Sequence, residues 1–444
     1  MPGPRGSLLR ILGVAFGLAV AVGNTIAAGI LRTPGDVAGW LPNPVLFVGI
    51  WIVGGLYALL GANALAELGT MLPRAGAQYA FARHAFGDYA GFLVGWNDWM
   101  STAASTAAVA LVFGESLSAL TVGNHSLATP VAMGLVVVFT VLLLRGTKLG
   151  DTTQQLTSLA KALALLALVA ACFLYAGRAV LPAAPPATSV STSAFAAFIL
   201  SAQAVIYTYD GWSGPIYFSE ELRDPDREIP RSMFGSLAIV AVIYLLINIA
   251  FVYAVPTRVL AGSPLAAATV ARAIFGDRGE TIVRLVVVIS LPSAVNALIL
   301  MASRVLFAVS RDGLGVRAAT RVNAGGSPVV ALVASGLVAI AFLATGTFGT
   351  VIAIAAFFFV ANYGLSFLAV FVLRAREPDA RRPYRAKGHP VTTGLVLLGS
   401  AAFLASAVAS DTRNSLWALG ILILSYPAFR VTRRLALPQP SRGV

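Results

Sequence analysis

Twelve times along this chain an apolar run of about 18 residues or more gives way to a short polar stretch, the pattern of helices that cross a bilayer. The predicted spans are 8–30, 44–67, 89–121, 129–145, 153–176, 194–219, 232–256, 279–309, 328–345, 347–373, 391–410 and 413–431. Two of them are interrupted. The first contains Gly23-Asn-Thr-Ile-Ala-Ala-Gly29, and the sixth contains Tyr207-Thr-Tyr-Asp-Gly-Trp-Ser-Gly-Pro215. An unbroken helix pairs every backbone group internally, and lipid offers nothing to groups that a break sets free. Breaks at bilayer depth therefore predict backbone that meets protein, water or a solute, and matching breaks in two halves of a chain point to a transport site. The plainer reading is a pair of glycine-kinked packing helices.

Of the 444 residues 58% are hydrophobic and 11% charged, with a mean hydropathy of +0.84, which places the chain in the membrane class. Residues 1–444 read as one all-α polytopic domain with no soluble domain appended. The first span shares with signal peptides an apolar run behind Arg5 and Arg10, but it carries Gly23, Asn24 and Thr25, and removing it spoils the charge register of the later spans. With Arg5 and Arg10 in the cytoplasm, 23 of the 31 Lys and Arg residues fall inside and seven outside, while Lys161 lies within a span. That asymmetry predicts a multi-pass protein of the cytoplasmic (inner) membrane with both termini cytoplasmic. It also accounts for the net charge of +13 without nucleic acid. Clusters such as Arg374, Arg376, Arg381, Arg382, Arg385 and Lys387 read as topology signals facing anionic lipid.

The single cysteine, Cys172, excludes an internal disulfide framework. It lies in no predicted outer loop, so no disulfide-linked accessory subunit is expected. His84, His125 and His389 sit near loops, and no metal site, cofactor or catalytic cluster is expected.

Residues 177–193, rich in Pro, Ser and Thr, form an outer loop between the fifth and sixth spans. If the first broken span opens one repeat (about 8–176), the second opens another (about 194–373) five helices later. Five is odd, so the second repeat starts on the opposite side of the membrane. This predicts a five-plus-five inverted repeat with discontinuous first and sixth helices, followed by extra helices at about 391–431.

At the first break a helix ends in unpaired carbonyls and another begins near Ala28 with unpaired N–H groups and the positive end of its dipole. A carboxylate suits those donors, and Ala27, Ala28 and Gly29, next to Ile26, are small enough to let it reach the backbone. The carbonyls of Thr25 and Tyr207 suit an ammonium group, so a zwitterionic α-amino acid matches both sets. In the second break Asp210, beside Gly211, reads either as a cavity carboxylate or as a helix cap. Asp98 and Glu115 occur in the third span and Glu67 ends the second. Tyr207 and Trp212 read as packing aromatics or as rings that close over a solute. Lys161 is a functional cation or a snorkelling lysine; as the former it is either a fixed charge where other transporters bind sodium or a proton carrier. The mixed-charge stretches 220–230 and 304–315 predict salt-bridged inner loops.

Taken together, Gly23-Asn-Thr-Ile-Ala-Ala-Gly-Ile-Leu-Arg-Thr-Pro34, Pro73-Arg-Ala-Gly-Ala-Gln-Tyr79, Tyr207-Thr-Tyr-Asp-Gly-Trp212 with Ser219-Glu-Glu and Asp224-Pro, and Ser303-Arg304 with Arg311-Asp-Gly313 resemble motifs of one family. It is the amino acid, polyamine and organocation transporter superfamily, particularly its L-amino-acid-transporter-like branch. The likeness runs in order over residues about 10–390. It implies a leucine-transporter-type fold with alternating access, a substrate carboxylate at the N–H groups of Ala28 and Gly29, an amine at the carbonyls of Thr25 and Tyr207, and the Tyr207 ring as gate. Lys161 matches the family's fifth-helix lysine, which contacts the first helix and a serine of the eighth; Ser293 or Ser290 would supply that serine. Two departures stand out. Ala27-Ala28 replaces the usual Gly-Ser, and Arg32 stands at a usually apolar position.

The expected function is sodium-independent secondary active transport of amino acids, as an exchanger or a proton-coupled permease. The alternatives are a polyamine or cationic amino acid carrier, a channel, or an integral membrane enzyme. The enzyme would need clustered His, Cys or paired carboxylates, and no such cluster is visible.

Overall fold

The structure is a computed structural model and describes residues 13–74, 76–121, 125–145, 151–178, 193–323, 327–345 and 347–435. Its elements are helices: α1 (Val14–Thr25), α2 (Ala28–Trp40), α3 (Pro44–Met71), α4 (Gln78–Phe86), α5 (Asp88–Thr121), α6 (Ala128–Arg145), α7 (Asp151–Tyr175), α8 (Ala194–Tyr209) and α9 (Gly214–Tyr217) in the first part of the chain. There follow α10 (Pro225–Ala254), α11 (Thr257–Leu260), α12 (Ala266–Phe275), α13 (Asp277–Arg311), α14 (Val329–Thr345), α15 (Phe348–Arg376), α16 (Val391–Ser410) and α17 (Thr412–Leu435). Each predicted span falls on one helix or, in the first and sixth, on a broken pair. Among the described residues α3, α5, α6, α10, α13, α15, α16 and α17 are long and apolar enough to cross a membrane, and shorter apolar helices cover 162–175, 194–209, 266–275 and 329–344. The protein is an all-α polytopic membrane protein.

Contacts between helix ends show that the chain crosses back and forth. On the face where α1 begins, the Ser232 hydroxyl donates to the Val14 carbonyl, that of Ser219 to the Arg74 carbonyl, and Arg376 to the Ala85 carbonyl. On the opposite face the Gly262 N–H reaches the Gly35 carbonyl, and the Thr257 hydroxyl the Pro42 carbonyl. Long α5 packs against α4, α6, α13, α14 and α15, so its middle is buried on all sides. By contrast, Val137 and Val138 of α6, Leu395 and Leu398 of α16 and Trp417 and Ile423 of α17 point outward, as a lipid solvent allows.

Two features differ from the sequence expectation. The first span does not stop near residue 30 but continues as α2 to Trp40, through Arg32, Thr33, Pro34 and Asp36. Partners hold two of these polar residues: the Arg32 guanidinium pairs with Glu115 of α5, and the Thr208 hydroxyl donates to that of Thr33 at 2.9 Å. The basic cluster after α15 is likewise more than a signal to lipid. Arg374 makes two bonds to the buried Glu67 carboxylate at 2.8 and 2.6 Å, Arg382 lies 3.3 Å from it, and the Ala386 N–H adds a 2.6 Å bond. A carboxylate buried at a helix end needs this much compensation. Arg381 pairs with Asp226 at 2.5 Å, and Arg227 with Asp224 at 3.8 Å, so the 220–230 stretch is salt-bridged as its sequence suggested, but from Pro225 onward it is the first part of α10 and not a loop.

Candidate functional site

At the first break only Ile26 and Ala27 leave the helical path, with ψ of 79° and −146°. Their N–H groups are retained, Ile26 bonding the Val22 carbonyl at 2.8 Å and Ala27 that of Thr25 at 2.9 Å. Ala27 has no side chain able to cap α2, so the donors of that helix's first turn face the break without a side-chain partner from it. Gly29 rests directly on α8. A Cβ there would sit 2.9 Å from Thr208 Oγ1 and 3.2 Å from Thr208 Cα, inside van der Waals contact.

The second break spans Asp210 to Ser213. The Asp210 N–H is shared between the carbonyls of Ile206 (3.1 Å) and Tyr207 (3.2 Å), which makes Asp210 the C-terminal cap of α8. Gly211 has φ +118°, a conformation that side chains oppose, and α9 resumes at Gly214. One hydroxyl spans both breaks. That of Tyr244 on α10, fully buried, lies 2.6 Å from the Thr25 carbonyl and 2.9 Å from the Thr208 carbonyl.

The two breaks meet at a cavity of about 60 Å³ walled also by α5, α13 and α15. Of the residues singled out by sequence, Thr25, Ala27, Gly29, Tyr207, Asp210 and Gly211 line it. Ile26 and Ala28 are buried outside its lining, as is Trp212, whose ring stacks on Tyr363 at 5.1 Å and packs on Gly61. The rest of the wall combines apolar residues, among them Val109, Leu298, Met301 and Phe359, with polar ones. Tyr217 places its hydroxyl 2.8 and 2.9 Å from the two Asp98 oxygens, and the Tyr363 hydroxyl donates to Asp210. The buried Gln78 carbonyl oxygen finds no donor among the described residues. Sequence reasoning missed Gln78, Tyr217, Tyr244 and Tyr363. A usable signal lay in α5, where Asp98, Thr102 and Ser105 recur at helical spacing within an apolar run and share one face.

Toward the opposite face, Tyr207 meets Phe348 edge-on at 6.1 Å, and the Arg32 guanidinium lies 4.3 Å from the Phe348 ring while pairing with Glu115. Toward the face where α1 begins, the Tyr79 hydroxyl donates to Asp312, and Arg83 bonds Asp88 (2.9 Å) and Asp312 (3.1 Å), tying α4 to the end of α13. Lys161 belongs to α7, but its side chain lies outside the described residues, as does that of Asn24. Of the two candidate serines, Ser290 lines an apolar crevice of about 290 Å³ together with Ile26, Ala27, Leu165 and Leu168. Ser293 instead turns its hydroxyl back to the Ser290 carbonyl at 2.7 Å. Among the described residues no group of three or more His, Cys, Asp or Glu could hold a metal ion.

A family model described as amino acid permease matches residues 7–426. The serine/threonine exchanger SteT of Bacillus subtilis is 27% identical over 421 residues, which is 94% of each chain. The b(0,+)-type amino acid transporter 1 of Mus musculus is 26% identical over 390 residues, 85% of this chain and 79% of its own. The large neutral amino acids transporter small subunit 2 of Mus musculus is 28% identical over 399 residues, 85% of this chain and 73% of its own. These similarities span most of the chain, and the chain belongs to the amino acid permease family, in the L-amino-acid-transporter-like branch of the amino acid, polyamine and organocation superfamily.

Proposed function

We propose that this protein carries amino acids across the cytoplasmic membrane by alternating access, without sodium, as an exchanger or a proton-coupled permease. What supports the reading is that two helix breaks line one small cavity. There the N-terminus of α2, with Gly29 in the lining and Ala28 beside it, would offer donors, and the ends of α1 and α8 would offer the carbonyls of Thr25 and Tyr207. A zwitterion placed between them satisfies both. Short polar side chains such as that of serine fit a cavity of this size, in keeping with a serine/threonine exchanger among the relatives.

In this assignment the face where α1 begins is cytoplasmic, repeat one runs over about 8–176, repeat two over about 194–373, and the remaining helices support them. Tyr207, backed by Phe348 and by the Arg32–Glu115 pair, is the outer gate, and the conformation described is closed on that side. Trp212 supports the gate from behind through its buried stack on Tyr363. Lys161 supplies a fixed cation beside the first break. A membrane enzyme is the weaker reading, because the relatives are transporters. One relative is named as a small subunit; this chain is proposed to work without a disulfide-linked partner, its lone cysteine being buried in α7.

The test is uptake of radiolabelled serine, leucine, lysine and putrescine into proteoliposomes, with and without internal amino acid and with and without a sodium gradient. Saturable serine uptake that ignores sodium is the expected result, and putrescine uptake without amino acid uptake would overturn it. Lys161→Ala is expected to reduce uptake by about tenfold or more while the protein remains monodisperse in detergent. Normal uptake in that variant removes the lysine from the mechanism.

A further inference from the structure

We propose that Asp98 and Asp210 carry the proton that accompanies a neutral amino acid, which makes the transporter a proton-coupled permease. This rests on the transport reading above and adds a coupling ion to it. The two carboxylates line the same cavity, one from α5 and one from the second break. Asp98 is almost wholly buried, and neither carboxylate is described with a salt-bridge partner. No described residue of the cavity wall is Lys, Arg or His. Two uncompensated negative charges in a membrane interior are costly, and a group that exchanges protons with one side relieves that cost.

The groups that face the pair are neutral phenols and amides. Tyr217 of α9 meets Asp98, and Tyr363 of α15 meets Asp210. Tyr57 of α3, bonded to Ser400, and Tyr207 of α8 flank Asp210, while Gln78 of α4 and Asn362 of α15 complete the polar wall. From α13 come only Leu298 and Met301. Of the charged groups beyond the wall, Arg32 of α2 pairs with Glu115 of α5, and Asp36 follows on α2; the side chain of Lys161 of α7 lies outside the described residues.

The Tyr217 hydroxyl donates to the Asp98 carboxyl, 2.8 and 2.9 Å from its two oxygens. One detail of geometry favours a bound proton over a cationic solute at the other carboxyl. Asp210 is the C-terminal cap of the 16-residue helix α8, where a negative charge opposes the helix dipole and a neutral acid does not. Asp210 also caps the helix that carries Tyr207, one of the proposed amine ligands, its N–H bonding the Tyr207 carbonyl at 3.2 Å, so a proton taken up at Asp210 changes the charge at that helix end. Proton and substrate thereby share one binding equilibrium.

Full-length protein in proteoliposomes decides the matter through two uptake modes measured on each preparation. One is serine accumulation driven by an imposed inward proton gradient with no internal amino acid. The other is serine exchange at equal pH. Wild type is expected to accumulate serine above equilibrium, with proton entry registered by a trapped pH dye. The ratio of gradient-driven to exchange uptake is expected to fall about tenfold in Asp98→Asn and Asp210→Asn and to recover in Asp98→Glu, which restores an ionisable group. Exchange without any gradient response in wild type, or an unchanged ratio in both Asn variants, overturns the proposal while leaving amino acid transport intact. Absence of both modes in wild type would instead overturn the transport reading. Selective loss of lysine uptake in the Asn variants, with serine coupling preserved, overturns the proposal too and assigns the carboxylates to a substrate cation.

Discussion

Between α1 and α2 only Ile26 and Ala27 leave the helix, whereas between α8 and α9 four residues do, from Asp210 to Ser213. The first break contributes backbone: its residues are apolar, its neighbours Ala28 and Gly29 are small, and Ala27 and Gly29 line the cavity at the start of α2. The second contributes side chains: Asp210 to the cavity and Trp212 to a stack behind it, with Gly211 absorbing the left-handed turn between them. In the proposed reading a donor-rich helix start and an acceptor-rich helix end flank one small space, so that recognition of the invariant part of an amino acid would belong to the backbone, and the variable and ionisable functions to the side chains of the other break.

That division is broken most severely at Gly29. Because a Cβ at this position collides with Thr208, Gly29→Val must push α2 away from α8 and separate the two polarities. The sequence alone suggested that a side chain here fills the solute's path; the geometry adds that it levers the helices apart. A loss of about 100-fold in kcat/KM for serine is expected, since misplacing groups by an ångström costs that much. Gly29→Ala should lose less, and Thr208→Ala should restore part of it, because the collision is shared between those two residues. Wild-type kinetics in Gly29→Val would mean that the first break does not bind the carboxylate.

A smaller effect is expected from Tyr207, which belongs to the second break by position and to the outer gate by contact. Its ring is 8% exposed and meets Phe348 edge-on. Tyr207→Ala removes the ring but keeps the carbonyl, so the amine contact survives and closure does not. KM for serine should rise by about tenfold, with a smaller change in kcat, and Tyr207→Phe should stay near wild type. If the phenylalanine variant fails as badly as the alanine one, the hydroxyl rather than the ring is what matters, and the gate must be placed elsewhere.

How much of this was legible from the residues follows the range of the interactions. The spans were legible because lipid demands long apolar runs, and the breaks because Gly, Asn and Asp have little other business at that depth. The extent of α2 was not: Arg32 to Asp36 look like a loop until Glu115, 83 positions away, supplies the countercharge. The basic cluster after α15 hid its role in the same way, since Glu67 pairs with Arg374 across 307 positions. Thr25, Ala27, Gly29, Tyr207, Asp210 and Gly211, singled out by sequence as site residues, line one cavity because they stand at or beside the two breaks. Tyr217, Tyr244 and Tyr363 were out of reach, for a tyrosine in an apolar run is ordinary packing until its partner is known.

Tyr244 joins the two regions instead of belonging to either, and it tests whether they act as one. Its hydroxyl lies against the carbonyls of Thr25 and Thr208, one from each broken helix, yet it has a single hydrogen to give. The Thr25 carbonyl also accepts the Ala27 N–H, so it is not left bare when the hydroxyl is removed. Tyr244→Phe should therefore cost about 1 kcal/mol, close to a fivefold rise in the half-saturation concentration for serine, with folding preserved. The sign of the change carries the information. Weaker affinity means that the hydroxyl holds the two carbonyl ends in register for the ammonium. Tighter affinity means that it competes with the ammonium for the Thr25 carbonyl, and then the substrate, on arriving, must displace the one side chain that ties the two breaks together.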